Sequence, residues 1–103
     1  MDIRHSFGLA LKTARRSRGL TQEDFSVVSS TNLISLIENG KTSPTLQKLD
    51  AICSNLNAHP ASLLVIAYLL KDSSDKDSSD KNIDDLLTQV RREVIEIMNY
   101  KES

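Results

Sequence analysis

Residues 7–70 are divided by Gly19, Ser29-Ser30, Asn39-Gly40 and Asn57 into five short stretches, and each stretch carries its apolar residues at helical spacing. This punctuation leaves little room for strands. The first stretch holds Phe7, Leu9, Ala10, Leu11 and Ala14 and stops at Gly19. Thr21 then reads as an N-cap with Asp24 at N3, and acids at positions 23 and 24 suit a helix N-terminus, so a second helix is expected to about Val28. Ser29 or Ser30 caps a third, of about nine residues, with Leu33, Ile34, Leu36 and Ile37. Thr45 caps a fourth (Leu46, Leu49, Ile52, Leu56), and Asn57 can take the left-handed position that closes it. His59-Pro60 opens a fifth, with Leu63, Leu64, Ile66, Ala67 and Leu70.

Composition agrees with packed helices. Aromatic residues are 4% of the 103 and Trp is absent, so the core must come from Leu, Ile, Val and Ala, and three Gly with two Pro are too few for a turn-rich sheet fold. The single cysteine, Cys53, excludes an internal disulfide and a multi-cysteine zinc site. It reads as a small core residue that fits a reducing cytoplasm. The longest apolar run, Leu63 to Leu70, is far short of the roughly 18 residues that span a bilayer, and no signal-peptide pattern opens the chain. A cytoplasmic location without membrane insertion is expected.

Beyond residue 70 the character changes. KDSSDKDSSDK, residues 71–81, repeats KDSSD without one apolar residue and reads as a linker. Residues 82–103 resume with Ile83, Leu86, Leu87, Val90, Val94 and Ile97, the stripe of an amphipathic helix. Charge divides at the same place. Residues 1–70 carry seven basic groups against five acidic, and residues 71–103 carry six against nine, so an overall charge of −1 conceals a basic first part. Lys12, Arg15, Arg16 and Arg18 concentrate four cations in seven residues. Two histidines, one cysteine and no glycine-rich phosphate loop supply no catalytic set, so neither an enzyme, a cofactor nor a metal is expected. His5 has no evident partner, and His59 reads as a helix cap.

LTQEDF, NLISLIENGKTSP and TLQKLDAICSNLNAHPASLL, in that order, resemble the Cro-type helix-turn-helix family of phage repressors and Xre-like regulators over about residues 7–66. The resemblance implies an all-α, five-helix repressor-like domain over residues 1–70, followed by the linker and the C-terminal amphipathic helix. It implies a sequence-specific transcriptional regulator, of repressor type or an activator, that binds double-stranded DNA with the third helix in the major groove. Gln22 would hold a backbone phosphate at a helix N-terminus, and Asn39, Lys41 and Thr42 would hold phosphates beyond the recognition helix. Thr31, Asn32 and Ser35 occupy the base-reading positions. Asn32 suits adenine, and Leu33 would touch a thymine methyl group. Arg15 and Glu38 match a pair that ties the first helix to the third, while Lys12, Arg16 and Arg18 would attract phosphates nonspecifically. Thr21 to Glu38 is about two residues shorter than is usual in the family, and Val28-Ser29 stands where a turn glycine is customary. This must shorten the second helix or tighten the turn. The recognition helix has no Arg or Lys, so its reading of guanine would be poor.

One helix-turn-helix covers one half-site, so a homodimer on a palindromic operator is expected. Leu63, Ile66, Leu69 and Leu70 of the fifth helix, and Val90, Val94 and Ile97 of the tail, are the residues expected to build it. The alternatives are an antitoxin or a restriction-modification controller that grips a protein partner through the tail, and a domain that has lost DNA binding altogether.

Overall fold

The computed structural model describes residues 1–72 and 80–102. Five α-helices are present: α1 (Ile3–Ser17), α2 (Thr31–Glu38), α3 (Leu46–Leu56), α4 (Pro60–Asp72) and α5 (Asp80–Met98), with no strand among the described residues. Residues Met1–Asp72 make one compact unit and α5 belongs to a second. Lys71 and Asp72 end α4, and Asp80 and Lys81 begin α5, so the edges of the expected 71–81 linker are helical. The rest of that segment lies outside the described residues.

Helix starts and stops follow from local hydrogen bonding. Ser30 and Thr45, both extended, accept from the backbone N–H of Leu33 (3.1 Å) and Lys48 (3.1 Å), which satisfies one orphan donor at the start of α2 and of α3. His59 Nδ1 accepts from the Ala61 N–H at 2.9 Å and so caps α4. Asn57 closes α3 at φ 56, ψ 45. At α1 the cap is Asp2, whose carboxylate accepts from the backbone N–H of His5 and meets its Nδ1, each at 2.9 Å. The partner that the sequence left unassigned to His5 is therefore Asp2.

The expected second α-helix is a single 3-10 turn, Gln22–Phe25. The shortening expected from the resemblance falls on this helix, and other parts of the chain hold the segment in place. Phe25 is fully buried and plugs the core from this segment. The Asp24 carboxylate accepts from the Thr21 N–H at 2.7 Å. Two carbonyls that a longer helix would satisfy are met from α3, where Asn55 Nδ2 donates to Asp24 O (3.0 Å) and Lys48 Nζ to Val28 O (2.5 Å). Ser29, in place of the turn glycine, is buried, and its hydroxyl has no hydrogen-bond partner among the described residues.

The core of the first unit joins Phe7, Ala10 and Leu11 of α1 with Phe25, Ile34 and Ile37, then Leu49, Ile52, Cys53 and Leu56 of α3, and Leu63 and Ala67 of α4. Burial pushes the Cys53 thiol pKa up, with the Asp50 charge adding to it. On α4 the core face repeats as 63, 66, 67 and 70. Leu63 is 1% exposed, and Ile66 and Leu70, half-buried, pack against the cluster. Leu64 and Tyr68 are the residues α4 turns outward, with Val65 and Leu69 at the edges of that face. On α5, Leu87, Val90, Val94 and Ile97 are all exposed.

Candidate nucleic-acid interface

Helix α2 is eight residues long and is fixed from both sides. Ile34, Ile37 and Glu38 face inward, and Leu33 is half-buried against the core. Gly8 of α1 lies directly on the end of α2: a Cβ there would stand 2.7 Å from the Glu38 carbonyl oxygen and closer still to that of Ile37. Only a residue without a side chain allows the two backbones this approach. Past Glu38 the chain turns in a Schellman motif, with Gly40 N–H donating to Ile37 O (3.0 Å) and Lys41 N–H to Leu36 O (2.9 Å). Gly40 supplies the left-handed residue at φ 72, and the His5 ring lies where its side chain would be.

A buried polar cluster locks α2 to α1 and to the 3-10 turn. Arg15 Nε donates to Glu38 Oε2 at 2.7 Å and Arg15 Nη2 to Oε1 at 3.0 Å, a bidentate pair. Gln22 Nε2 adds a third donor to Oε1 at 3.1 Å, and Arg15 Nη1 donates to Leu20 O at 2.9 Å. The Glu38 side chain is 2% exposed. Its hydrogen bonds raise the Arg15 pKa, against the opposing effect of burial. The pair implied by family resemblance thus has a third member, Gln22, which was assigned to phosphate alone.

The outward face of α2 carries Asn32, Ser35, Leu36 and Asn39 at i, i+3, i+4 and i+7, with Thr31 at its N-terminal end. Thr31 and Gln22 line one recess with Arg15, Thr21 and Glu23, about 380 Å³ in volume, where the 3-10 turn meets the start of α2. Asn39 folds back on Ser35, its Nδ2 donating to Ser35 O at 2.9 Å and lying 3.4 Å from Ser35 Oγ. Lys41 is exposed just beyond α2, and Thr42 is half-buried. The candidate residues are therefore gathered around one helix and its two ends. Leu33 is half-buried and packs against the core beside this face. Leu36, which the sequence reading placed in the apolar set, lies on the face instead. The four-residue step from Asn32 was the signal for it.

The basic patch is thinner than its sequence suggests. Arg15 is internal, and Arg18 donates to the carbonyls of Leu56 (3.2 Å) and Asn57 (3.5 Å), joining α1 to the end of α3. Arg18 nonetheless remains exposed. The side chains of Lys12, Arg16 and Lys41 make no hydrogen bond or ion pair among the described residues. The one charge on α2 is the buried Glu38, so the outward face is neutral.

A family model described as helix-turn-helix matches residues 11–63, just over half the chain. The chain belongs to the Cro/Xre-type helix-turn-helix family. This is a family of DNA-binding transcriptional regulators, and the match runs from the middle of α1 through the 3-10 turn, α2 and α3 into α4. No curated protein and no solved structure matches the chain. No single helix among the described residues is long and apolar enough to cross a membrane.

Proposed function

We propose that this helix-turn-helix protein binds a palindromic operator as a cytoplasmic homodimer, with Gln22, Thr31, Asn32, Ser35, Asn39, Lys41 and Thr42 forming the DNA face of each subunit. The observation that carries the reading is the rigid mounting of α2. Its inner side is fixed by Glu38, Ile34 and Ile37, and its outer side is an uninterrupted row of small polar residues and one leucine. A groove about 12 Å wide admits one such helix. The Gln22 amide has two hydrogens and one goes to Glu38, which leaves the other for a phosphate beside Thr31. Lys41 supplies a point charge at the far end.

The test is binding to duplexes selected from a random library. Asn32→Ala should cost about 1–3 kcal/mol on the selected site and relax one base preference. Lys41→Ala should weaken all duplexes alike and flatten the slope of log affinity against log salt by about one unit. If both variants bind as the wild type does, the face is misassigned.

Two half-sites on one side of B-DNA lie about 34 Å apart, which calls for a two-fold dimer. The exposed Leu64 and Tyr68 of α4 support this, because Leu64 also borders an apolar recess of about 210 Å³ formed with Ile3, Phe7, Pro44, Leu46 and Leu49. Leu64→Glu and Leu69→Glu should sediment as monomers at micromolar concentration and lose operator affinity. The exposed stripe Val90, Val94 and Ile97 favours a second contact, either with the other subunit or with a protein partner. Deleting residues 82–103 separates the two. A weakened dimer assigns α5 to self-association, and an unchanged dimer with unchanged DNA affinity assigns it to another protein.

A further inference from the structure

Of the residues on the outward face of α2, Ser35 and Asn39 are already engaged with each other. Thr31, Asn32 and Leu36 remain, and none of them makes a side-chain hydrogen bond among the described residues. Leu36 is the conspicuous one. It is 38% exposed on a helix whose other aliphatic residues, Leu33, Ile34 and Ile37, all serve the core. It lies one helical turn beyond Asn32 on the same face, a rise of about 6 Å, which corresponds to one or two base-pair steps.

The chemistry of this face selects among bases. Guanine presents two acceptors, N7 and O6, and is read best by a cation that donates twice, yet no Arg or Lys stands on α2. Asparagine offers one donor and one acceptor, the complement of adenine N6 and N7. An exposed leucine beside it has one favourable partner in the major groove, the 5-methyl group of thymine. Facing the polar edge of a G·C pair, the same side chain would remove water from acceptors without replacing the lost hydrogen bonds.

We infer that α2 reads A·T pairs: Asn32 takes an adenine, and Leu36 packs on a thymine methyl group within two base pairs of it and sets the preference for thymine there. This rests on the DNA-binding reading above and specifies its substrate. The experiment begins with the duplex selected by the wild-type protein. Each thymine of the half-site is replaced in turn by deoxyuridine, which deletes the methyl group and leaves every hydrogen-bonding atom in place. One such position should weaken wild-type binding about fourfold, the worth of one buried methyl. Leu36→Ala should bind the thymine duplex correspondingly less well and should be indifferent to deoxyuridine at that position. The thermal midpoint of the variant, checked alongside, should stay near that of the wild type, because the side chain is not part of the core. Wild-type binding that ignores every deoxyuridine overturns the inference without using a variant at all. So does a selected half-site with G·C pairs under α2, or a Leu36→Ala protein that still senses the missing methyl. If no duplex is enriched, it is the DNA-binding reading itself that fails.

Discussion

Replacing Glu38 by Gln removes one charge and one acceptor from a site where the wild-type carboxylate receives three hydrogen bonds, at 2.7, 3.0 and 3.1 Å. The glutamine oxygen can keep the place of Oε1 or of Oε2. In either case the new amide N–H groups point at an N–H of Arg15. Arg15, whose side chain is 10% exposed, is then left without a counter-charge. Removing one partner of a buried ion pair costs about 3–5 kcal/mol. The bond from Nη1 to Leu20 O survives, which places the expected loss near the lower figure. For a unit of this size each kcal/mol moves the thermal midpoint by about 4–8 °C, so a fall of about 12–24 °C is expected. Circular dichroism with heat and urea measures it. A double-mutant cycle with Gln22→Ala should show coupling, because both side chains share Oε1. DNA affinity should fall with stability, since the same atoms orient Gln22. A Glu38→Gln protein that melts within about 2 °C of the wild type would refute the argument, because no buried group of this kind is dispensable at so small a cost.

Four further outcomes follow from single contacts. Gly8→Ala should destabilise by about 2 kcal/mol despite the better helix propensity of alanine, because the new Cβ meets the backbone oxygens of Ile37 and Glu38 and the helices must part; an equal or higher melting temperature would contradict that close approach. Ser29→Ala should stabilise by about 1 kcal/mol, because it deletes a buried hydroxyl that lacks a partner, and a measured loss would show that the hydroxyl is bonded. Cys53 should react with a thiol reagent only at the rate of unfolding, since it is buried and its pKa is raised; fast labelling in native buffer would disprove this. The Asp2 pKa is lowered, first by the hydrogen bond from the His5 backbone N–H and then by the His5 side chain, so its capping contribution is present above the ordinary carboxylate range and is lost as pH falls through the depressed value. The protection factor of the His5 amide should fall as pH drops below the ordinary carboxylate range, and a pH-independent protection would exclude the cap.

Much of this architecture can be read from the sequence because it rests on local signals. Ser30, Thr45, Asn57 and the Asn39-Gly40 stop act within a few residues of their own position, and each is found where its chemistry predicts. The second helix could not be read in the same way. Its cap at Thr21–Asp24 forms as expected, yet the helix ends after one turn, because its length is decided by Phe25 reaching the core and by Lys48 and Asn55 arriving from α3. Those partners are 20 and 31 residues away, and nothing near residue 25 announces them. The same holds for α4: an eight-residue apolar run does not say which side is covered, so Leu63 appeared available to a partner until the 63-66-67-70 face was seen packed on the core. Leu33 and Leu36 are indistinguishable in sequence as members of one apolar set, and only their burial separates the one packed on the core from the one left exposed.

The distribution of charge on this domain has a consequence for how it must work. Arg15, Arg18 and Lys48 each hold a buried or backbone acceptor, so the structure uses for its own stability cations that composition alone would credit to DNA. Few groups remain to neutralise phosphates, and nonspecific affinity scales with that number. The face of α2 adds no charge of its own, so in the proposed complex its contribution would be discrimination among bases. A single unit with this division would be selective but weak. Joining two such units raises affinity through effective concentration; their phosphate contacts and salt slopes add, but each unit brings few. In the proposed homodimer, pairing two units would offset the scarcity of free cations in each. The measured salt slope of the selected complex should be correspondingly small for a protein that covers two half-sites.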